Sequence, residues 1–150
     1  AAARAAGASG RPEAFALFAH ESPEALAART PMATAAQFDA TRRCLASLGF
    51  GVAEEARLLA LLAAVLRLGN VAFDALEEVQ GCRVAESTRP ALRAASSLLR
   101  ATEASVESAL VSTATNVAGE TIQRRCSAQQ AADRRDALAK AVYAKLFDLV

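Results

Sequence analysis

The sequence predicts a mainly α fold of five to six helices with one β-hairpin. Apolar residues recur at helical spacing along most of the 150 residues, and helix-capping residues precede several of these stretches. Near residues 112–126 the spacing changes to the two-residue period of a strand. The hydrophobic fraction of 53% suffices for one packed core, although much of it is alanine and aromatic residues make up only 5%.

The first two helices are predicted from their capping residues. Ser22 and Pro23 fit the N-cap and the first position of a short helix. Thr34 and Gln37 fit a capping box at the start of the second helix, and Gly49 suits its end.

The strongest helical pattern runs from about Ala53 to Leu68. Its first turn contains Glu54 and Glu55 and its last turn contains Arg67, an order of charges that complements the helix dipole. Leucine and valine side chains cover most of its circumference. We therefore expect this helix to be buried on several sides as the core of the fold.

Shorter elements are predicted after this helix. A strand is expected over Asn70–Phe73 and a polar loop over Glu77–Ser87. Thr88 and Thr102 are expected to cap the fourth and fifth helices, with Pro90 early in the fourth. These residues add two short helices to the predicted core.

An extended hairpin is predicted after the fifth helix. β-Branched residues alternate there with smaller or polar ones, and they are Val111, Thr113, Thr115 and Val117. Gly119 supplies a turn, and Thr121 and Ile122 begin a return arm. The predicted hairpin therefore spans Ser112 to Cys126.

The last predicted helix runs to the end of the sequence, and Ser127 and Gln130 fit a capping box at its start. One apolar row follows its length and consists of Leu138, Val142, Leu146 and Leu149. Tyr143 and Phe147 lie beside this row, and we interpret both as core residues.

The same helix carries Asp136 and Lys140, an i,i+4 ion pair of the favourable orientation. It shows no C-terminal stop signal, and the sequence does not begin with Met. We therefore expect the chain to be an internal piece of a longer protein.

Composition argues against several classes of function. A formal net charge of +1 without a basic stripe argues against nucleic acid as a partner. The longest apolar run, residues 58–66, is far shorter than the about 20 residues that span a bilayer, so no membrane insertion is expected. The cysteines form no CxxC pair, and we interpret Cys44, Cys82 and Cys126 as buried or half-buried thiols in a reducing compartment.

Signatures of catalysis are absent from the sequence. It contains no G-x-x-x-x-G-K-[ST] phosphate loop, no G-x-G-x-x-G, no G-x-S-x-G and no H-E-x-x-H. No catalytic, cofactor-binding or metal-ligating residue is therefore nominated. The patterns alone describe a soluble, mainly α domain.

Four sequence blocks carry a resemblance to a known family. The blocks are QFDATRRCLASLGF, ARLLALLAAVLRLGNVAF, ALRAASSLLRATEASVESAL and RDALAKAVYAKLFDLV. In order and spacing they are similar to the myosin-head patterns FxxTxxALxxLGF, ExxxIFxILAAILHLGNIxF, LxxAAxLLGVxxxxLxxAL and RDALAKALYxRLFDWLV. Arg67, Arg100 and Leu149 stand where the family usually has His, Gly or Val, and Trp. The chain thus resembles a myosin motor head, and these departures leave the myosin class undetermined.

The resemblance implies a partial myosin head, of the P-loop NTPase superfamily of motors, that lacks the nucleotide-site core. It implies a position between two nucleotide-sensing switches, in the upper actin-binding subdomain. The parent protein would be an actin-activated ATPase that uses ATP and Mg, neither of which this chain binds. The expected partners are the actin filament and the rest of the head, in the cytoplasm on the actin cytoskeleton. The alternatives are a catalytically inactive head-like domain and a non-motor helical scaffold.

The resemblance also divides the chain into four parts. They are a weakly matching loop and short helix over residues 1–33, a helical part over 34–111, an actin-facing hairpin over 112–126 and a long helix over 127–150. The hairpin stands where myosins carry the cardiomyopathy loop, which touches actin.

Myosins hold an acid or a phosphorylatable Ser or Thr sixteen residues before the Asp of DALAK. Here Asp136 is that Asp, so the position is Glu120, which follows Gly119. The resemblance implies that Glu120 supplies a permanent negative charge for actin, where other members need phosphorylation. The expected actin-binding set is Gly119, Glu120, Arg124 and Arg125. The alternatives are an ordinary solvated turn residue for Glu120 and a merely exposed strand for the two arginines.

Overall fold

The computed structural model describes residues 15–18, 35–76, 80–117 and 120–148, and this part contains five α-helices and two antiparallel strand pairs. The helices are α1 (Ala35–Ser47), α2 (Val52–Gly69), α3 (Arg89–Leu98), α4 (Glu103–Val111) and α5 (Ala128–Phe147). The strands are β1 (Phe73–Ala75), β2 (Cys82–Val84), β3 (Ser112–Val117) and β4 (Glu120–Arg125). Short 3₁₀ helices lie at Ala16–Phe18 and Glu86–Thr88. The mainly α fold with a hairpin is therefore confirmed.

The core lies where the C-terminal half of α2 meets α3, α4 and α5. Its largest fully buried apolar side chains are Leu68, Leu92, Leu110, Val71 and Val84. Within α2 the buried residues are Ala63, Ala64, Leu68 and Gly69. The N-terminal half of α2 is exposed or half-buried. The prediction that α2 is the core helix is thus confirmed for its second half only, because α3 and α5 pack there.

The connection between α2 and α3 differs from the prediction. β1 and β2 form a ribbon in which Phe73 pairs with Val84 and Ala75 with Cys82. The strand predicted over residues 70–73 thus begins at its last residue, and the polar loop predicted over 77–87 is wrong where β2 and a 3₁₀ helix occur. Cys82 and Val84 are buried and Arg83 between them is exposed. Three alternating residues are too few to distinguish a strand from a loop by periodicity.

The two threonines predicted as helix caps behave differently. The Thr102 hydroxyl accepts a hydrogen bond from the Ser105 amide at 3.2 Å, as predicted for the start of α4. The Thr88 hydroxyl does not cap α3. It accepts from the Ala72 amide at 3.1 Å and donates to the Ala85 carbonyl at 3.0 Å, so it ties the chain before β1 to the chain after β2.

Two predictions about side chains of α5 are corrected. Tyr143 and Phe147 are not core residues, since they are 48% and 67% exposed and contact each other edge to face with ring centroids 5.2 Å apart. The Asp136 carboxylate pairs with Arg135 at 2.7 Å, and no ion pair to Lys140 occurs among the described residues. Tyr143, Phe147 and Asp136 therefore lie on the surface of α5. The buried residues of this helix are Ala131, Ala139 and Leu146.

The prediction of buried or half-buried thiols holds for two of the three cysteines. Cys44 is exposed, contrary to its interpretation as a buried or half-buried thiol, whereas Cys82 and Cys126 are buried. The helix predicted at Ser22 and Pro23 and the cap predicted at Thr34 lie outside the described residues.

The predicted glycine exit of α1 is confirmed. Gly49 has a φ of 93°, in the left-handed region. The Phe50 amide donates to the Leu45 carbonyl at 3.0 Å and the Gly49 amide to the Ala46 carbonyl at 3.1 Å. This pair of bonds is the Schellman motif, which satisfies carbonyls that a helix end leaves without partners.

Helix α3 ends in the same motif without a glycine. Arg100 has a φ of 56°. The Ala101 amide donates to the Ser96 carbonyl at 3.0 Å, and the Arg100 amide donates to the Ser97 carbonyl at 3.1 Å. The position where the resemblance expects Gly or Val is therefore one that a glycine fits best, and the arginine β-carbon is strained there.

We expect Arg100→Gly to raise the free energy of unfolding by about 1 kcal/mol, because it removes the strained β-carbon. Arg100→Ala keeps that carbon and should give no such gain. The reverse change, Gly49→Ala, should lower the free energy of unfolding by about 1 kcal/mol, because alanine disfavours the left-handed conformation. An added β-carbon meets no atom within 4 Å there, so a steric clash does not contribute. Urea unfolding measures all three; an equal gain in Arg100→Ala would contradict the explanation.

An ion-pair network joins α3 to α4. Arg89 pairs with Glu103 at 2.9 Å and with Glu107 at 3.2 Å, and Arg93 reaches Glu103 at 3.2 Å. Hydrogen bonds from Arg89 and then Arg93 lower the pKa of Glu103 from its ordinary value of 4.5. The ionised form of Glu103 is thus favoured in the folded state.

Because the pKa of Glu103 is lowered by folding, its stabilising effect is fully present above the ordinary value of 4.5 and is lost as the pH falls through the lowered value. We expect Glu103→Gln to unfold more easily than the parent at neutral pH and to lose less stability on acidification. Urea midpoints measured over about pH 3 to 7 would test this. Asp39→Asn removes an exposed acid of α1 and should leave the pH dependence unchanged.

Candidate functional site

The hairpin of β3 and β4 projects from the junction of α4 and α5. Its antiparallel register begins with Ser112 opposite Arg125 and ends with Val117 opposite Glu120. Glu120 is therefore the first residue of β4, at the end of the hairpin remote from the helices. Gly119 lies outside the described residues. The sequence predicted the two arms because their β-branched residues alternate with smaller ones.

The base of the hairpin is closed by backbone and hydroxyl hydrogen bonds. The Cys126 amide donates to the Val111 carbonyl at 2.8 Å, which joins the start of α5 to the end of α4. The Ser112 hydroxyl donates to the Ser108 carbonyl at 2.6 Å. Helix α5 begins with the predicted capping box, in which the Gln130 amide reaches the Ser127 hydroxyl at 3.2 Å.

Arg134 of α5 connects this helix to the hairpin. Its Nε donates to the Ala109 carbonyl at 3.0 Å and its Nη1 to the Thr113 hydroxyl at 3.1 Å. The Thr113 hydroxyl lies 3.2 Å from the Cys126 sulfur. One planar guanidinium therefore links the last turn of α4 to the start of β3. Sequence reasoning missed Arg134, because a charged helix residue has no local signal of a distant acceptor.

Arg135 makes a second connection, toward α2. Its Nη1 donates to the Val71 carbonyl at 2.8 Å, just beyond the end of α2. Next to Val71, the Asn70 side chain accepts from the Ala16 amide at 2.7 Å. The LGN segment and the RDALAK segment, which are far apart in sequence, therefore meet through Arg135.

The turn before β2 packs against the base of β4. Gly81 has a φ of 155°, and a β-carbon added to it would lie 2.9 Å from Cβ of Arg125. A glycine is thus required by both backbone conformation and space. Cys82 and Cys126 pack in one buried cluster with Ala131. Burial raises the pKa of the Cys82 thiol, which reduces its thiolate fraction and argues against a nucleophilic role.

The nominated site residues do not form one cluster. Arg124 and Arg125 are exposed and pair with Thr113 and Ser112 at the base of the hairpin. Glu120 lies four and five positions away along β4, which corresponds to roughly 13–17 Å of extended strand. The acid and the two arginines therefore belong to different ends of the hairpin.

Metal-ligand clusters and membrane-spanning helices are both absent from the part of the chain that the structure describes. No group of three or more His, Cys, Asp or Glu side chains there could hold a metal ion. None of the described helices has the length and apolar character needed to cross a membrane.

Comparison with known proteins identifies the family. The family model for the myosin head (motor domain) matches residues 13–150. Unconventional myosin-Ia of Gallus gallus is 36% identical over 118 residues, which cover 78% of this chain and 11% of that protein. Myosin heavy chain 95F of Drosophila melanogaster is 36% identical over 115 residues, covering 72% of this chain and 9% of that protein.

Unconventional myosin-XIX of Mus musculus is 34% identical over 114 residues, covering 74% of this chain and 12% of that protein. The chain thus spans about a tenth of the length of these relatives. The matched range includes the hairpin, Arg134, Arg135 and the four sequence blocks. The chain belongs to the myosin head (motor domain) family.

Proposed function

We propose that this chain serves an actin-based, ATP-driven motor as its actin contact and as a transmission element. The hairpin end that carries Glu120 would contact the filament, and α5 would transmit nucleotide-dependent movement to the hairpin. ATP and Mg would bind elsewhere in the head, because this sequence has no phosphate loop. We propose with it the four-part division that the resemblance implies, into residues 1–33, 34–111, 112–126 and 127–150.

The observation that carries the proposal is the hydrogen bonding of Arg134. It links α5 to the Ala109 carbonyl and to the Thr113 hydroxyl in the hairpin stem. A displacement of α5 would break these bonds unless the stem moved with it. Packed elements with directional hydrogen bonds transmit such a movement better than a flexible loop does.

The remote end of the hairpin suits a contact with a filament. It is the end of the β3–β4 pairing that is farthest along both strands from α4 and α5, with Val117 opposite Glu120. A carboxylate at Glu120 offers a fixed negative charge to a basic surface, which increases the association rate at low salt. The charge would be permanent, so engagement of actin would not need phosphorylation at this position.

Glu120→Ala in the complete head should raise the actin concentration for half-maximal ATPase activation by up to about fivefold at low salt, as expected for an exposed charge pair. ATPase activity without actin should not change. Glu120→Asp keeps the charge and should retain most of the activation. Steady-state ATPase titrations measure these effects; unchanged activation in Glu120→Ala would refute the contact.

Arg134→Met in the complete head should weaken the coupling between ATP and actin while leaving ATP binding intact. Loss of two hydrogen bonds from a charged donor predicts a reduction of about five- to tenfold in the ratio of actin dissociation constants with and without nucleotide. Hydrogen exchange of β3 amides should become faster. Lys140→Met, at an exposed position of α5, is the matched control. An unchanged ratio together with faster exchange would mean that Arg134 only stabilises the stem.

A further inference from the structure

We propose that a groove at the base of the hairpin binds an acidic peptide segment of a partner protein. The groove has a volume of about 430 Å³ and lies between β2, α4 and the last residues of β4. Three exposed arginines line it, namely Arg83, Arg124 and Arg125. The groove is separate from the remote hairpin end, so this proposal does not depend on the proposed role of Glu120.

Among the described residues, no acid is ion-paired with the arginines of the groove. Glu107 is the acidic residue that lines it, and its carboxylate is held by Arg89 through hydrogen bonds of 3.2 and 3.3 Å. Asp74 stands opposite Arg83 in the ribbon. Within the described part of the chain, neither Asp74 nor any other acid forms an ion pair with Arg83, Arg124 or Arg125 within 4.0 Å. The three guanidinium groups therefore remain available for carboxylates of a ligand.

The other walls of the groove favour a peptide over a nucleic acid. Ser108 and Ser112 contribute hydroxyl groups, whereas Ala104 and Val111 contribute small or apolar surface. Carboxylates spaced along a peptide can reach the arginines, which bind them through paired N–H donors, while small side chains cover the apolar surface. The chain as a whole has a net charge of only +1, whereas binding to a nucleic-acid backbone depends on many basic contacts.

The groove is held in shape before a ligand binds. The turn at Gly81 packs against Arg125, and the Cys126 amide is bonded to the Val111 carbonyl. The hydrogen bond from Arg134 to the Thr113 hydroxyl also holds the start of β3. Because the backbone of these walls is already held by these contacts, binding would mainly have to order the arginine side chains.

The test uses the complete head and a short labelled peptide of alternating glutamate and alanine, with a glutamine and alanine peptide for comparison. Fluorescence anisotropy should detect binding of the acidic peptide that weakens with salt, as exposed charge pairs do. Arg83→Gln and Arg124→Gln should each weaken binding up to about fivefold. Arg43→Gln, at an exposed arginine of α1 outside the groove, is the matched control and should have no effect.

Two results would overturn the proposal. The first is equal peptide binding by the parent and the Arg83→Gln variant, with thermal unfolding showing that the variant is folded. The second is an RNA homopolymer that competes as well as the peptide and loses affinity equally in Arg43→Gln, which would indicate unspecific charge attraction. Glu120→Ala should leave peptide binding unchanged, so this test is independent of the filament contact.

Discussion

Hydrogen bonds from two neighbouring arginines of α5 hold the parts of this fold together. Arg134 reaches the last turn of α4 and the stem of the hairpin, and Arg135 reaches the carbonyl that follows α2. Consecutive helix residues point about 100° apart, so one turn of α5 can serve two directions. The base of the hairpin is therefore tied to the helical core by directional hydrogen bonds.

The acceptors of these arginines explain why a charged side chain is used. Ala109 lies in the last turn of α4, where helix carbonyls lack intrahelical partners, and the Val71 carbonyl follows the end of α2. A long cationic donor satisfies such carbonyls from another element and also complements the negative end of the helix dipole. Shorter residues at these positions could not span the distance. A movement of α5 would consequently strain the hydrogen bonds at the ends of α4 and α2.

The sequence predicted the elements whose signals are local. The Ser127–Gln130 capping box, the Thr102 cap, the Gly49 exit and the alternating arms of the hairpin are confirmed because each depends on residues close in sequence. Predictions failed where distant contacts decide the outcome. Thr88 bonds across the ribbon, and Tyr143 and Phe147 are exposed because the core occupies another face of α5. The resemblance indicated the hairpin as a site but gave no indication of Arg134, Gly81 or Arg83, which meet it only in the folded chain.

The spacing of charges along the hairpin separates the two proposed binding sites. Glu120 and the base arginines lie roughly 13–17 Å apart along the strand, which exceeds the screening length of about 8 Å at physiological ionic strength. The acid at the remote end therefore neither neutralises the arginines nor competes for their ligand. A basic partner surface at the end and an acidic segment at the base could be bound together. Arg134 supports the stem at the base itself, because its partner Thr113 pairs with Arg124 there. A ligand held by the base arginines would therefore act on the α5 connection more directly than a partner at the remote end.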